Sequence, residues 1–280
     1  MKKKQKHTTL ILLLVFFTGL SVMLYPAISS YWNEKAQTEA IIDYEKMLMN
    51  MKPEDYTEYF EKAQAYNEEL AKLPAPLANY EQVEGYWDIL DLTGTGIMGY
   101  LSIDVIGVEL PVYHGTSDSV LGVAVGHLQG TSFPIGGEET HSCVSAHRGL
   151  PNATLFTHLD HVELGDTFEF TILDRTITYQ VDQIKIVEPH VTEDLMIAED
   201  EQYCTLLTCT PYGINTHRLL VRGRLIDANK QKQIYVTSDA HQIDSLIVTP
   251  VVALPMLVIL MFIVLMMPVK KDDLEEELEL

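Results

Sequence analysis

Cysteine is scarce in this chain of 280 residues. There are only 3, all between positions 143 and 209, and no CxxC pair is among them. That excludes a disulfide-stapled scaffold and, the count being odd, leaves at least one thiol without an intramolecular partner. Positive charge is also short: Lys and Arg number 19 against 40 Asp and Glu, a formal net charge of −21. Such a surface repels a phosphate backbone, which argues against a nucleic-acid partner. No HExxH motif occurs, and His141, Cys143 and His147, though close in sequence, lack the paired spacing of a zinc site, so no metal or other cofactor is expected. Repeats are missing, as is low complexity beyond an acidic end at 272–280. What is there is globular composition, 47% hydrophobic and 21% charged, which excludes wholesale disorder.

Long uncharged runs are confined to two places. Residues 10–25 read LILLLVFFTGLSVMLY and follow Lys2, Lys3, Lys4 and Lys6; with Thr8 and Thr9 the run reaches the lower limit of a bilayer-spanning helix. A signal peptide opens the same way, but no convincing small-x-small cleavage site follows Tyr25, so an uncleaved anchor is expected. Residues 245–269, SLIVTPVVALPMLVILMFIVLMMPV, are long enough to span with some tilt, and Lys270-Lys271 come next. Lysines before the first run and after the second both belong on the cytoplasmic side. The expected organisation is a basic cytoplasmic tail (1–7), a transmembrane helix (8–25), a helical extension (26–79), a lid or linker (80–96), a β-domain (97–226), a linker (227–244), a second transmembrane helix (245–269) and an acidic cytoplasmic tail (270–280). The β-domain then lies outside the cell membrane, with both termini inside.

Residues 34–73 hold no glycine and are rich in Glu, Ala, Lys and Met, a helical composition. Pro53 with Glu54 and Asp55 suits a fresh helix start, and Pro74 and Pro76 close the region. From residue 97 the pattern changes to short β-rich runs: 98–105, 108–113, 140–146, 167–173, 176–187, 203–209 and 217–225, with Asp174-Arg175 as a two-residue turn. Turn signals at this spacing point to a mainly β fold, a closed or nearly closed barrel.

Alternation along 203–209 puts Cys209 on a face with Leu207, Thr205 and Tyr203, opposite Cys204. Five strand steps separate the two thiols by roughly 16 Å, too far for a disulfide. Pro211 and Gly213 end the strand, leaving Cys209 beside a loop where a substrate can reach it. A thiol of ordinary pKa is only partly ionised at neutral pH and needs a cation or base nearby. His147 ends an apolar run just before Gly149, so it too belongs at a rim. Arg218 opens a strand in a probable hairpin with the cysteine strand, where a guanidinium can hold a developing oxyanion. Whether the strands carrying His147 and Cys209 end on the same side is not written in the sequence.

Thr205-Leu206-Leu207-Thr208-Cys209 resembles the TLxTC signature of sortases, Ser145-Ala146-His147-Arg148-Gly149 their histidine segment, and Asn215-Thr216-His217-Arg218-Leu219 their arginine strand. Tyr113-His114-Gly115-Thr116 and residues 126–132 are similar to the pilin-polymerising class C branch. The resemblance implies an eight-stranded sortase barrel in which Cys209 is the nucleophile, His147 the general acid or base and Arg218 the stabiliser of substrate and oxyanion. It further implies cleavage of an LPxTG-like sorting signal and transfer of the acyl group to a lysine amine of a pilin subunit. The other histidines read as structural or solvated rather than catalytic; of these, His127 and His217 lie near matching segments and are candidates to sit behind the site. Many class C members cover the thiol with an Asp-Pro-aromatic lid. Here the stretch reads Tyr86-Trp87-Asp88, inverted and without proline, so Trp87 over the thiol with Asp88 on Arg218 competes with Trp87 as a linker anchor. Thr208, beside the cysteine, joins them as a substrate-binding candidate. A cell-wall-anchoring sortase using a peptidoglycan amine would carry the same triad. A non-enzymatic, membrane-tethered β-barrel binding module would tolerate loss of Cys209.

Overall fold

The computed structural model describes residues 2–226, 253–259 and 262. By compactness the chain divides into two units, Met1–Ile28 with Asp239–Leu280, and Ser29–Ser238. Helix α1 runs through Lys2–Met49 without interruption, Pro26 included. The anchor run and the start of the helical extension thus share one helix, with the division between the compact units at Ile28/Ser29. Among the described residues this is the one helix long and apolar enough to cross a membrane, and Leu10, Ile11, Leu14, Phe17 and Val22 point outward from it. Of the second run, only residues 253–259 and 262 are described, as helix; the expected linker 227–244 and the acidic tail lie outside the described residues.

In the larger unit the rest of α1 is fastened to the β-domain. Gln37 Nε2 donates to Val123 O (2.6 Å), and the buried Tyr44 hydroxyl donates to Met98 O (3.1 Å) while accepting from Leu173 N (2.9 Å). Helix α2, Pro53–Ala71, buries Phe60, Ala63, Tyr66 and Leu70, spaced three or four apart on one face. Asn67 on that face pairs both ways with the backbone of Phe133, and the Arg175 guanidinium sits 3.7 Å over the Phe60 ring. A single turn, α3 (Pro76–Asn79), follows.

Eight strands then close a barrel: β1 (Ile97–Ile103), β2 (Val108–His114), β3 (Val125–His127), β4 (Thr140–Ser145), β5 (Thr167–Ile172), β6 (Arg175–Val187), β7 (Gln202–Thr210) and β8 (His217–Leu225), in spatial order β1-β2-β3-β4-β7-β8-β6-β5. Closure leaves no unpaired edge. The β2–β3 and β4–β7 pairs are parallel and the others antiparallel. Phe168, Phe170, Tyr179, Leu101, Ile103, Val144, Leu206 and Val221 fill the interior.

Seven strands coincide with the β-rich runs of the sequence. β3 does not, because its three residues include Gly126 and His127 and show no apolar alternation. Glycine is required there: a Cβ on Gly126 would lie 2.4 Å from Gly115 O. The β5–β6 turn is Leu173-Asp174, one residue earlier than expected, with Leu173 at φ 55 and β6 already begun at Arg175.

Candidate active site

Strand β7 sorts its residues by face. Cys204, Leu206 and Thr208 turn inward, whereas Leu207 and Cys209 turn outward and are half-buried. Cys209 is the direct cross-strand partner of Arg218 on β8, and Leu207 that of Leu220. On the other flank β4 runs parallel to β7, with Ser145 level with Leu207. The pairing continues past the end of β4: Ala146 N donates to Leu207 O (3.3 Å). His147 lies two residues beyond the end of β4. The hairpin between β7 and β8 brings the start of β8 back beside Cys209, and the parallel pairing sets the end of β4 along the other flank of β7. Cys209 and Arg218 are thus cross-strand neighbours, with the loop that begins at His147 leaving from the adjacent strand.

Each is held by its own backbone surroundings. Arg218 Nη1 donates to Asn215 O (3.3 Å) and His217 O (3.1 Å), which folds the guanidinium back over its own turn. His147 O accepts from Phe156 N (3.1 Å), and Gly149 N donates to Thr157 Oγ1 (3.2 Å), so the histidine begins a closed loop rather than a free end. Tyr212, after the cysteine strand, lays its ring against Gly149 and closes the rim from the opposite side. Thr208, a substrate-binding candidate by sequence, faces the other way from Cys209 and is 1% exposed. Its hydroxyl donates to Ala146 O (2.9 Å), tying the cysteine strand to the residue before His147.

Along the same outer face the strands carry an apolar patch. Cys143, Leu195 and Leu220 are buried there, with Leu207, Leu128, Val187 and Leu77 packed around them. Leu77 comes from α3, so the segment before the barrel covers part of the surface that leads to the thiol. Trp87 is 56% exposed, with its ring against Gly115 and edge-on to Tyr86 at 5.0 Å. Among the described residues Asp88 makes no ion pair with Arg218, whose guanidinium donates to carbonyl oxygens.

His217 stays at the start of β8, opposite Thr210 and next to Arg218, while two other histidines and two thiols lie in the core. His127 is wholly buried in an aromatic stack with Tyr86 and Phe133, its Nε2 donating to Ser132 O (2.9 Å). Burial pushes it down to about 3. His141 donates from Nδ1 to Met196 O (2.8 Å) and accepts at Nε2 from Thr205 Oγ1 (2.8 Å), and burial lowers it to about 4. Cys143 and Cys204 are buried free thiols pushed upward by desolvation. A thiol held protonated in the core is not a nucleophile. Of the three thiols only Cys209 combines partial exposure with a cation opposite it.

Comparison with known proteins agrees with this arrangement. Residues 101–226 match the sortase domain family model. Sortase C1 of Streptococcus agalactiae is 46% identical with a TM-score of 0.64, covering 68% of this chain and 98% of that one. A Clostridium perfringens sortase C, solved with the C-terminal cell wall sorting motif, is 40% identical with a TM-score of 0.59 over 68% and 99% of the two chains. Sortase D of Bacillus subtilis (strain 168) is 28% identical over 131 residues, 46% of this chain; the match spans 63% of that relative's length. With an eight-stranded barrel, a cysteine–arginine cross-strand pair and a histidine on the parallel neighbour, the chain belongs to the sortase family of cysteine transpeptidases, on its class C side.

Proposed function

We propose that this chain cleaves an LPxTG-like sorting signal and joins the released acyl group to a lysine amine of a pilin subunit. The observation that carries the proposal is the cross-strand pairing of Cys209 with Arg218 on a strand flanked by β4, the strand that leads into His147. The Cys209 sulfur attacks the carbonyl carbon of the signal's threonine. The oxygen gathers negative charge beside Arg218, whose permanent cation lowers the cost of that charge. His147 hands a proton to the departing glycine amine as the C–N bond breaks, leaving a thioester on Cys209. An incoming lysine amine then gives its proton to His147 and displaces the sulfur, forming an isopeptide bond. One difficult acyl transfer becomes two easier ones through the covalent intermediate.

The apolar patch of Leu207, Leu220 and Val187 suits the leucine and proline of such a signal, and the Clostridium relative was solved with a sorting motif. In this proposal α1 anchors the enzyme with its lysines in the cytoplasm, and residues 97–226 work on the outer face. The test is intact mass after mixing the full chain with an LPxTG-type peptide. The wild type gains the mass of the peptide acyl part on Cys209, and Cys209→Ala gains nothing. Arg218→Gln forms the adduct about a hundredfold more slowly. Offering a pilin lysine peptide and a peptidoglycan amine together identifies the acceptor, and preference for the latter would make this a wall-anchoring enzyme. No adduct on the wild type refutes transpeptidation at this site.

A further inference from the structure

Directly after His147, Arg148 sends its side chain into the body of the protein. The guanidinium is 9% exposed and pairs through Nη2 with Oδ2 of Asp160, itself 42% exposed. Its Nε is buried without a hydrogen-bond partner. Burying an arginine is unfavourable unless its donors are satisfied, so one carboxylate and an unmet N–H make a poor stability device. The pair is open to solvent on the Asp160 side and closed on the Arg148 side, so it is not a contact between two freely solvated chains. Asp160 sits in a short 3₁₀ turn, Leu159–His161. The neighbouring Leu155, Phe156 and Leu159 are in the core, so the carboxylate is presented from a fixed platform. Between platform and histidine lie the two backbone anchors already described, Phe156 N to His147 O and Thr157 Oγ1 to Gly149 N.

We infer that Asp160, acting through Arg148, is a positioning residue that fixes the backbone at His147 so that the imidazole meets Cys209. The inference rests on the proposed role of His147. The Arg148 side chain is 9% exposed and its guanidinium ends on Asp160. Arg148 is the residue next to His147, so anchoring its side chain restricts how the backbone at His147 can move. Small displacements of a proton-transfer group weaken catalysis strongly, because the proton must move over hydrogen-bond distance.

The test compares Asp160→Asn, Asp160→Glu and wild type in the full chain. Acylation of Cys209 by an LPxTG-type peptide is followed by mass, giving kcat and KM separately, and folding is checked by thermal unfolding. Asp160 is partly exposed, so Asp160→Asn is expected to fold. It should lower kcat about tenfold with KM unchanged, while Asp160→Glu, which keeps the charge, recovers most of the rate. Arg148→Lys keeps a cation but loses the planar fork and should resemble Asp160→Asn. Equal kcat in Asp160→Asn and wild type overturns the inference, as does a loss that Asp160→Glu does not reverse. An inactive wild type would instead overturn the proposed function, so the two failures read differently.

Discussion

Gly149 offers a direct test of how the two sides of the rim meet. Its φ is +74, a left-handed backbone that L residues other than Asn and Asp rarely adopt. A Cβ placed there would stand 2.9 Å from Tyr212 Cε2 and 3.0 Å from Cζ. Gly149→Ala therefore carries two separable penalties. The backbone one is about 1–2 kcal/mol. The steric one depends on whether Tyr212 can retreat; its ring is 60% exposed on the loop after β7, so it can swing away at small cost in stability. The swing opens the contact that joins the cysteine strand to the histidine loop. Gly149→Ala should thus lower stability by about 1–2 kcal/mol, roughly 2–8 °C in Tm for a domain of this size, and slow acylation of Cys209 by more than the stability loss alone would. In a Tyr212→Ala background the stability penalty should remain, since φ is unchanged, while the further slowing of acylation should vanish. The assay is a double-mutant cycle read by thermal unfolding and by mass. If Gly149→Ala slows acylation by the same factor with and without the Tyr212 ring, then the ring does not rest on Gly149 in solution and the closed rim is refuted. If Gly149→Ala costs no stability at all, the left-handed conformation is not held.

Two further expectations concern the surroundings of the site. His127 and His141 have folded-state values lowered by burial to about 3 and about 4, against an ordinary 6.5. The unfolded chain takes up these protons first as pH falls. The stability they contribute is thus complete above about 6.5 and is lost on going down toward 4, at up to about 1.4 kcal/mol per pH unit for each histidine. Urea unfolding across that window should give a shallower pH slope for His141→Gln than for wild type, and identical slopes would mean His141 is not buried neutral. For the approach to the thiol, Leu77→Ala should speed alkylation of Cys209 severalfold, because Leu77 packs with Leu207 two residues away on the same face. Trp87→Ala should leave alkylation unchanged; acceleration by Trp87→Ala would put the indole over the thiol.

Much of this site was legible because alternation within a strand is local. Residues 203–209 declare which side chains share a face, and Pro211 and Gly213 declare where the strand stops, so an accessible Cys209 and a buried Cys204 follow from a few neighbouring residues. The same parity decides Thr208, which resembles a substrate contact only while its face is ignored. Turned inward beside Cys209, it can only tie β7 to Ala146. His127 reads as structural rather than catalytic and lies in the core, but its face could not be read, because a three-residue strand gives no periodicity.

What the sequence withholds is which strands are neighbours. That β4 and β7, some sixty residues apart, lie side by side and parallel is a property of barrel closure, and this pairing sets the end of the strand that leads into His147 beside the cysteine strand. The helical region follows the same logic. Composition marks an apolar run and a polar run, but nothing in either requires a break between them, since the missing N–H of Pro26 removes a single hydrogen bond and α1 continues. In each case the local code fixes what a residue can present, and the long-range pairing fixes what it is presented to. A catalytic arrangement built from three strands needs both. That is why the cysteine could be singled out from one strand, whereas its partnership with the histidine rests on the parallel seam between two.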